Sequence, residues 1–132
     1  MLLVRTVVKA SKIHGKGLFA GQNIKKGQAV WKFSPLVDKK FPMKTLLKLP
    51  KAEQKSVKYY SYLNYRNEYV LCGDNAKYMN SSDNPNTEDK VTFFDKILGN
   101  EGMTVASHDI KKGEELTSRY LKFDSKGRPK HI

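Results

Sequence analysis

Three stretches of this chain concentrate residue types that chemistry uses. Gly15-Lys16-Gly17 forms a tight turn whose glycines let backbone approach a ligand closely. By itself a Gly-x-Gly is an ordinary turn, and this one lacks the third glycine and following helix of a dinucleotide fingerprint. Residues 80–86 read Asn-Ser-Ser-Asp-Asn-Pro-Asn, side chains that hydrogen-bond backbone, which is equally the make-up of a self-capped loop. Gly113-Glu114-Glu115-Leu116-Thr117 leads to Tyr120, at a strand end where a tyrosine serves packing as readily as function. Other chemistries find no foothold. His14, His108 and His131 have no metal-ligand spacing, so no metal is expected. The single cysteine, Cys72, forms neither an internal disulfide nor a zinc cluster and suits a small buried hydrophobe. No serine has a His/Asp pair around it, and there is no Walker motif.

The elements that must position these residues are short. Residues 2–9, 18–20, 28–33, 69–72, 91–94, 104–106 and 115–118 read as strands from their Val, Ile, Phe and Thr content. Residues 43–49 make a helical turn or two before Pro50. Residues 51–62 have helical composition, with Val57, Tyr60 and Leu63 as an apolar stripe. Residues 43–65 are thus a mostly helical insert between two β portions. Residues 76–80 approach the polar loop as a helical turn or extended, and 80–88 are irregular. Ala20, Ile24, Lys25, Lys26 and Gly27 recur at the same spacing as Ala106, Ile110, Lys111, Lys112 and Gly113. Two such hairpins predict a mainly β body with pseudo-symmetry, too few copies for a solenoid. One domain over residues 1–124 and a basic tail over 125–132 complete the expected layout.

Charge divides the chain. The net charge is +12: residues 1–60 hold fourteen Lys and Arg against Asp38 and Glu53, whereas residues 61–132 hold eleven of each sign. The excess suits a nucleic-acid surface, a groove for acidic partners or a solvated lysine-rich face, and composition leaves all three open. Lysines outnumber arginines, which disfavours base-specific readout. No stretch approaches membrane-spanning length and no signal-peptide core appears, so no membrane role is expected. The expected location is intracellular: cytoplasmic, or nuclear in a eukaryotic host.

In order, the chain runs Gly-Lys-Gly-Leu-Phe-Ala from Gly15, Ile24-x-x-Gly27, the insert, Asn80-x-Ser82-x-x-Pro85-Asn86 and Gly113-Glu-Glu-Leu-Thr-x-x-Tyr120. This succession resembles the SET domain family from about Val7 to Phe123. Ser81 and Asp83 stand where the family pattern has histidine and cysteine. Ser118 stands where it often has Phe or Tyr, a position that influences how many methyl groups are added. The resemblance implies a β-clip with a threaded, pseudoknot-like C-terminal segment. It implies a methyltransferase that moves a methyl group from S-adenosylmethionine to a lysine amine of a protein. It places the cofactor against the backbone of Gly15, Lys16, Gly17 and Leu18, with Asn80 and the backbone of Ser81 holding its ends. Lys77 stands at a frequent cofactor-contacting arginine, Phe123 serves as a lid, and Tyr120 matches the catalytic tyrosine. Tyr59, Tyr60, Tyr62, Tyr65 and Phe123 are aromatic candidates for a substrate channel. A catalytically inactive SET-like interaction module and a basic nucleic-acid-binding β-domain are the competing functions. The partner is a protein bearing a target lysine; a homodimer is compatible with the sequence, which does not set the oligomeric state.

Overall fold

In the computed structural model, which describes residues 1–64 and 66–119, short strands carry most of the architecture. Thr6–Ala10 (β1) and Lys16–Ala20 (β2) form an antiparallel hairpin running from Thr6↔Ala20 to Ala10↔Lys16. Ala29–Lys32 (β3) and Lys39–Pro42 (β4) follow. Two helices, Met43–Leu46 (α1) and Lys51–Tyr60 (α2), each begin directly after a proline, Pro42 and Pro50. Next come Ser61–Leu63 (β5), Glu68–Leu71 (β6), a short 3-10 turn at Asn75–Tyr78, Asn80–Ser81 (β7) and Thr87–Lys90 (β8). Phe93–Leu98 (α3), Met103–Ala106 (β9) and Thr117–Ser118 (β10) complete the described chain. Strands pair antiparallel as β3-β9-β8 and β4-β6-β5, while β7 and β10 pair parallel. Leu18, Ala20, Ile24, Val30, Met79, Ala106, Ile110 and Leu116 form the main core; Trp31, Cys72 and Ala76 form a second cluster.

The mainly β architecture with short helices is as expected, and two local expectations are corrected. Residues 61–62 are not helical: the helix ends at Tyr60, because Ser61–Leu63 pairs with β6 and cross-strand packing overrides the helical stripe. Residues 91–94 are not a strand. Their β-favouring composition is overruled by a capping box, in which Asp95 N donates to Thr92 Oγ1 at 3.0 Å and Thr92 N donates to Asp95 Oδ2 at 2.7 Å. The Thr92 amide, then its hydroxyl, hold the Asp95 carboxyl below its ordinary range. The β4 strand is an addition that composition did not reveal.

The internal repeat becomes a structural pair. Ile24 and Ile110 exchange both backbone hydrogen bonds at 2.8 Å, and each is buried at 1% exposure. Ala20 N donates to Glu114 O and Gly113 N to Ala20 O; Gly27 N donates to Ala106 O, all at 2.8 Å. Equivalent side chains cap the opposite turn: Lys26 N donates to Asp109 Oδ1 and Lys112 N to Asn23 Oδ1, both at 2.9 Å. The two turns are thus related by a local two-fold, each supplying half of the other's hydrogen bonding. Gly27 at φ +83° and Gly113 at φ +93° make the bends, and nothing lies within 4 Å of a Cβ added at either. Replacing either by alanine therefore adds conformational strain without a clash. Gly27→Ala and Gly113→Ala are each expected to lower unfolding free energy by roughly 1 kcal/mol in denaturant titrations.

Candidate active site

The segment around Glu115 ties the three motifs together. β10 lies parallel to β7 with Thr117 opposite Asn80 and Ser118 opposite Ser81. Ser82 N donates to Ser118 O at 3.0 Å. The other limb of the polar loop grips the same segment from Asn86 and Thr87. Asn86 Nδ2 donates to Glu115 O at 2.8 Å, Thr117 N donates to Asn86 Oδ1 at 2.9 Å, and Thr87 Oγ1 donates to Thr117 O at 2.7 Å. On its third side, Leu116 N donates to Leu18 O at 2.7 Å, and Glu115 bridges Phe19 of β2. The loop that composition marks as irregular is therefore a template, whose Asn and Thr side chains substitute for strand partners.

Asn80 joins this junction to the glycine turn. Its Nδ2 donates to His14 O at 3.0 Å, and to Lys16 O and Glu115 Oε1 at 3.1 Å. Asn80 is only 5% exposed, so these bonds fix its amide plane. Its Oδ1 accepts no bond from a described residue, and Asn80 lines a cleft. The cleft holds ≈ 260 Å³ and is walled by Lys16, Asn80, His14, Tyr59, Tyr60 and Lys77, with Tyr78 and Met79 beside them. Lys77 Nζ lies 5.6 Å from the Tyr60 ring centre and 5.4 Å from that of Tyr78, within cation–π range. Tyr59 and Tyr60 meet edge to face at 4.9 Å, and His14 Nε2 lies 3.0 Å from the Tyr59 hydroxyl.

Of the residues expected at the site, Lys16, Lys77 and Asn80 come together on this cleft. Gly15 makes the preceding turn at φ +46°, and Ser81 lies beside Asn80 in β7. Leu18 is fully buried, with its carbonyl engaged by Leu116, so its side chain belongs to the core. Tyr120, Phe123 and Tyr65 lie outside the described residues. Of the channel aromatics, Tyr59 and Tyr60 reach the cleft. Tyr62 turns away: its hydroxyl donates to Glu101 Oε1 at 2.8 Å and its ring stands edge-on to Trp31. Sequence reasoning left His14 as a turn residue and Glu115 as part of a motif. The clue to Glu115 was Gly17, where an added Cβ would lie 1.9 Å from Glu115 Oε1 and 2.9 Å from Ser11 Cβ. Among the described residues no His, Cys, Asp and Glu cluster could hold a metal ion, and no helix is long and apolar enough to cross a membrane.

The SET domain model matches residues 15–121. The chain belongs to the SET domain family, whose cofactor is S-adenosylmethionine. Its fold is similar to that of a candidate histone methyltransferase from Plasmodium falciparum, at 20% identity and TM-score 0.61 over 90% of this chain and 95% of that one. It is also similar to the Polycomb Repressive Complex 2 of Chaetomium thermophilum in an autoinhibited, S-adenosylmethionine-bound form, at 21% identity and TM-score 0.62. There 88% of this chain covers only 15% of the larger one. No curated protein matches the chain significantly.

The residues present fit that cofactor. Asn80 Oδ1 is an acceptor suited to an ammonium, Lys16 and Lys77 suit a carboxylate, and the tyrosine rings give the cleft an apolar wall. Gly17 guards the arrangement by leaving room for the Glu115 carboxylate that holds Asn80. Gly17→Ala is expected to destabilise the fold by about 1–3 kcal/mol through overpacking and to weaken S-adenosylmethionine binding. In a double-mutant cycle the stability loss should shrink when Glu115 is also replaced by alanine. Additive losses would show that the two residues do not meet.

Proposed function

We propose that the chain is a protein-lysine methyltransferase using S-adenosylmethionine. The observation that carries this reading is the convergence of Lys16, Lys77 and Asn80 on one tyrosine-walled cleft, beside the strand that leads to Tyr120. When bound, S-adenosylmethionine supplies an electrophilic methyl group on a positive sulfur. The chain's own residues do the rest. Asn80 accepts from the cofactor's ammonium and is held in that orientation by His14, Lys16 and Glu115. Lys77 and Lys16 neutralise its carboxylate. A substrate lysine must arrive neutral, and with an ordinary pKa of about 10.4 this costs roughly 4–5 kcal/mol at pH 7. An apolar channel beside the cofactor's positive sulfur lowers that cost by disfavouring the ammonium. The Tyr120 hydroxyl then orients the neutral amine toward the methyl group. Ser81 and Ser118 do not argue for an inactive module, because both sit in the β7–β10 pair, where backbone makes the contacts. This reading goes with an intracellular location, cytoplasmic or, in a eukaryotic host, nuclear.

Two experiments test it. Calorimetry is expected to show one S-adenosylmethionine site, and Tyr120→Phe to keep the fold and the cofactor while cutting methyl transfer at least about tenfold, roughly 1.4 kcal/mol of transition-state stabilisation. Near-normal turnover in that variant would remove Tyr120 from the mechanism.

Substrate choice follows from the insert. α2 ends at the cleft with Tyr59 and Tyr60, and Lys51, Lys55 and Lys58 lie along it at helical spacing. Lys44 and Lys48 add to them, and Glu53 is the only acid between Met43 and Tyr62. Lysines flanked by Asp or Glu should be drawn to such a wall through faster encounter. Each exposed pair contributes only about 0.2–1 kcal/mol, so several must act together, and salt screens them. Acidic-flanked peptides are expected to be methylated faster than basic-flanked ones at low ionic strength, with the advantage fading as salt rises. Equal or better turnover of the basic peptide at low salt would place these lysines off the groove.

A further inference from the structure

A second cationic surface lies at the far end of the β1–β2 hairpin. The Ile24–Ile110 backbone pair is antiparallel, so Lys25-Lys26 run beside Asp109 and Lys111-Lys112 beside Asn23, one lysine pair on each side of it, and all four lysines are exposed. Lys112 also borders a cleft of ≈ 570 Å³ whose walls include Arg5, Lys9 and Phe19. Among the described residues none of these six cations is in a salt bridge. The acids nearby are Asp109, Glu114 and Glu115; the first two cap backbone amides of the turns, Lys26 N and Lys111 N, and the third accepts from Asn80. Six positive charges face three negative ones, held in register by β pairing rather than strung along a flexible run.

The chemistry that matches such a surface is a polyanion with regularly spaced charges. Duplex DNA carries one negative charge per about 1.7 Å of its axis. Lysine is a hydrated point charge that meets phosphate without the bidentate geometry that reads base edges. Single-strand binders add aromatic faces for bases to stack on. The ring lining this cleft, Phe19, has Lys9 Nζ over it at 4.4 Å, which occupies the face a base would need. We propose that the paired Lys-Lys-Gly turns, with Arg5 and Lys9, are a docking surface for the phosphate backbone of duplex DNA. The turns lie toward the Ala20 end of β2, about 13 Å by strand rise from Lys16 at the cofactor cleft, while Lys9, opposite Gly17, is the member of the surface nearest that cleft. The proposal is independent of methyl transfer.

Fluorescence anisotropy with a short duplex of arbitrary sequence tests it, titrated between roughly 50 and 200 mM salt. The wild-type chain is expected to bind, with affinity falling steeply as salt rises. Replacing Lys25, Lys26, Lys111 and Lys112 together by alanine should weaken binding at least tenfold and lower the log–log salt slope by about 3–4, since each lost phosphate contact removes about 0.9. Replacing the same four by arginine should retain binding, which separates charge from any effect on folding. Removing equal charge from the insert, at Lys44, Lys48, Lys51 and Lys55, should leave duplex binding near wild type. Methylation of a free peptide by the quadruple-alanine variant should be unchanged. Three results would each overturn the proposal: no duplex binding at low salt, equal weakening by the insert variant, or tighter binding of a single strand of the same length.

Discussion

Glu115 sits where three separate stretches of chain meet. Its carbonyl accepts from Asn86, its carboxylate accepts from Asn80, and its backbone bridges Phe19. These contacts arrive from two limbs of one loop and from β2, so none can shift without the others. The carboxylate occupies the space left by the missing side chain of Gly17. Asn80 in turn fixes the carbonyls of His14 and Lys16 and thereby the entrance of the cleft. A largely buried, multiply connected polar junction of this kind rigidifies its surroundings, because losing a partner would leave a desolvated group unpaired. Small-molecule geometry at the cleft is therefore inherited from tertiary hydrogen bonds rather than from any rigid helix or long sheet.

The local two-fold at Ile24 and Ile110 supplies the base on which that junction rests. Both isoleucines belong to the same core cluster as Leu18 and Leu116, the residues next to Gly17 and Glu115. The apolar side of the paired turns thus anchors the site, while their lysines face solvent on the opposite side. The same arrangement explains why positive charge collects without collapsing the fold. Lysines placed on exposed bends keep their ammonium groups in water, and only their peptide groups take part in the pairing.

What the sequence made legible was local and periodic. The repeat was visible because Ile and Gly recur at fixed spacing, and the polar loop because Asn, Ser, Asp and Pro crowd together. Residues acting through long-range contacts were not visible. Nothing near Glu115 in sequence marks it as the partner of Asn80, thirty-five positions away. Nor does His14 announce that its ring meets Tyr59 across the cleft. Residues 91–94 misled because propensity averaged over Val, Thr and two Phe outweighed a cap made by Thr92 and Asp95. The helix–strand boundary at Tyr60 was hidden for a different reason: pairing with β6 decides it, and β6 lies beyond the window in which a helical stripe is read.

Ser81 and Ser118 carry the last step. They face each other across the parallel β7–β10 pair, and both depart from the family pattern. Serine in place of a larger residue would open a hole if nothing else changed. Ser118 is nevertheless 1% exposed, so its surroundings close over the small side chain. A ring at that position would have to displace buried neighbours, at a cost of roughly 1–3 kcal/mol by the usual penalty of overpacking. The site is thus remade around serine rather than truncated from an aromatic one. The bonds to the carbonyls on either side, from Ser82 N to Ser118 O and from Thr87 Oγ1 to Thr117 O, do not involve the side chain at residue 118. Positioning of the segment that leads to Tyr120 therefore does not depend on what residue 118 carries.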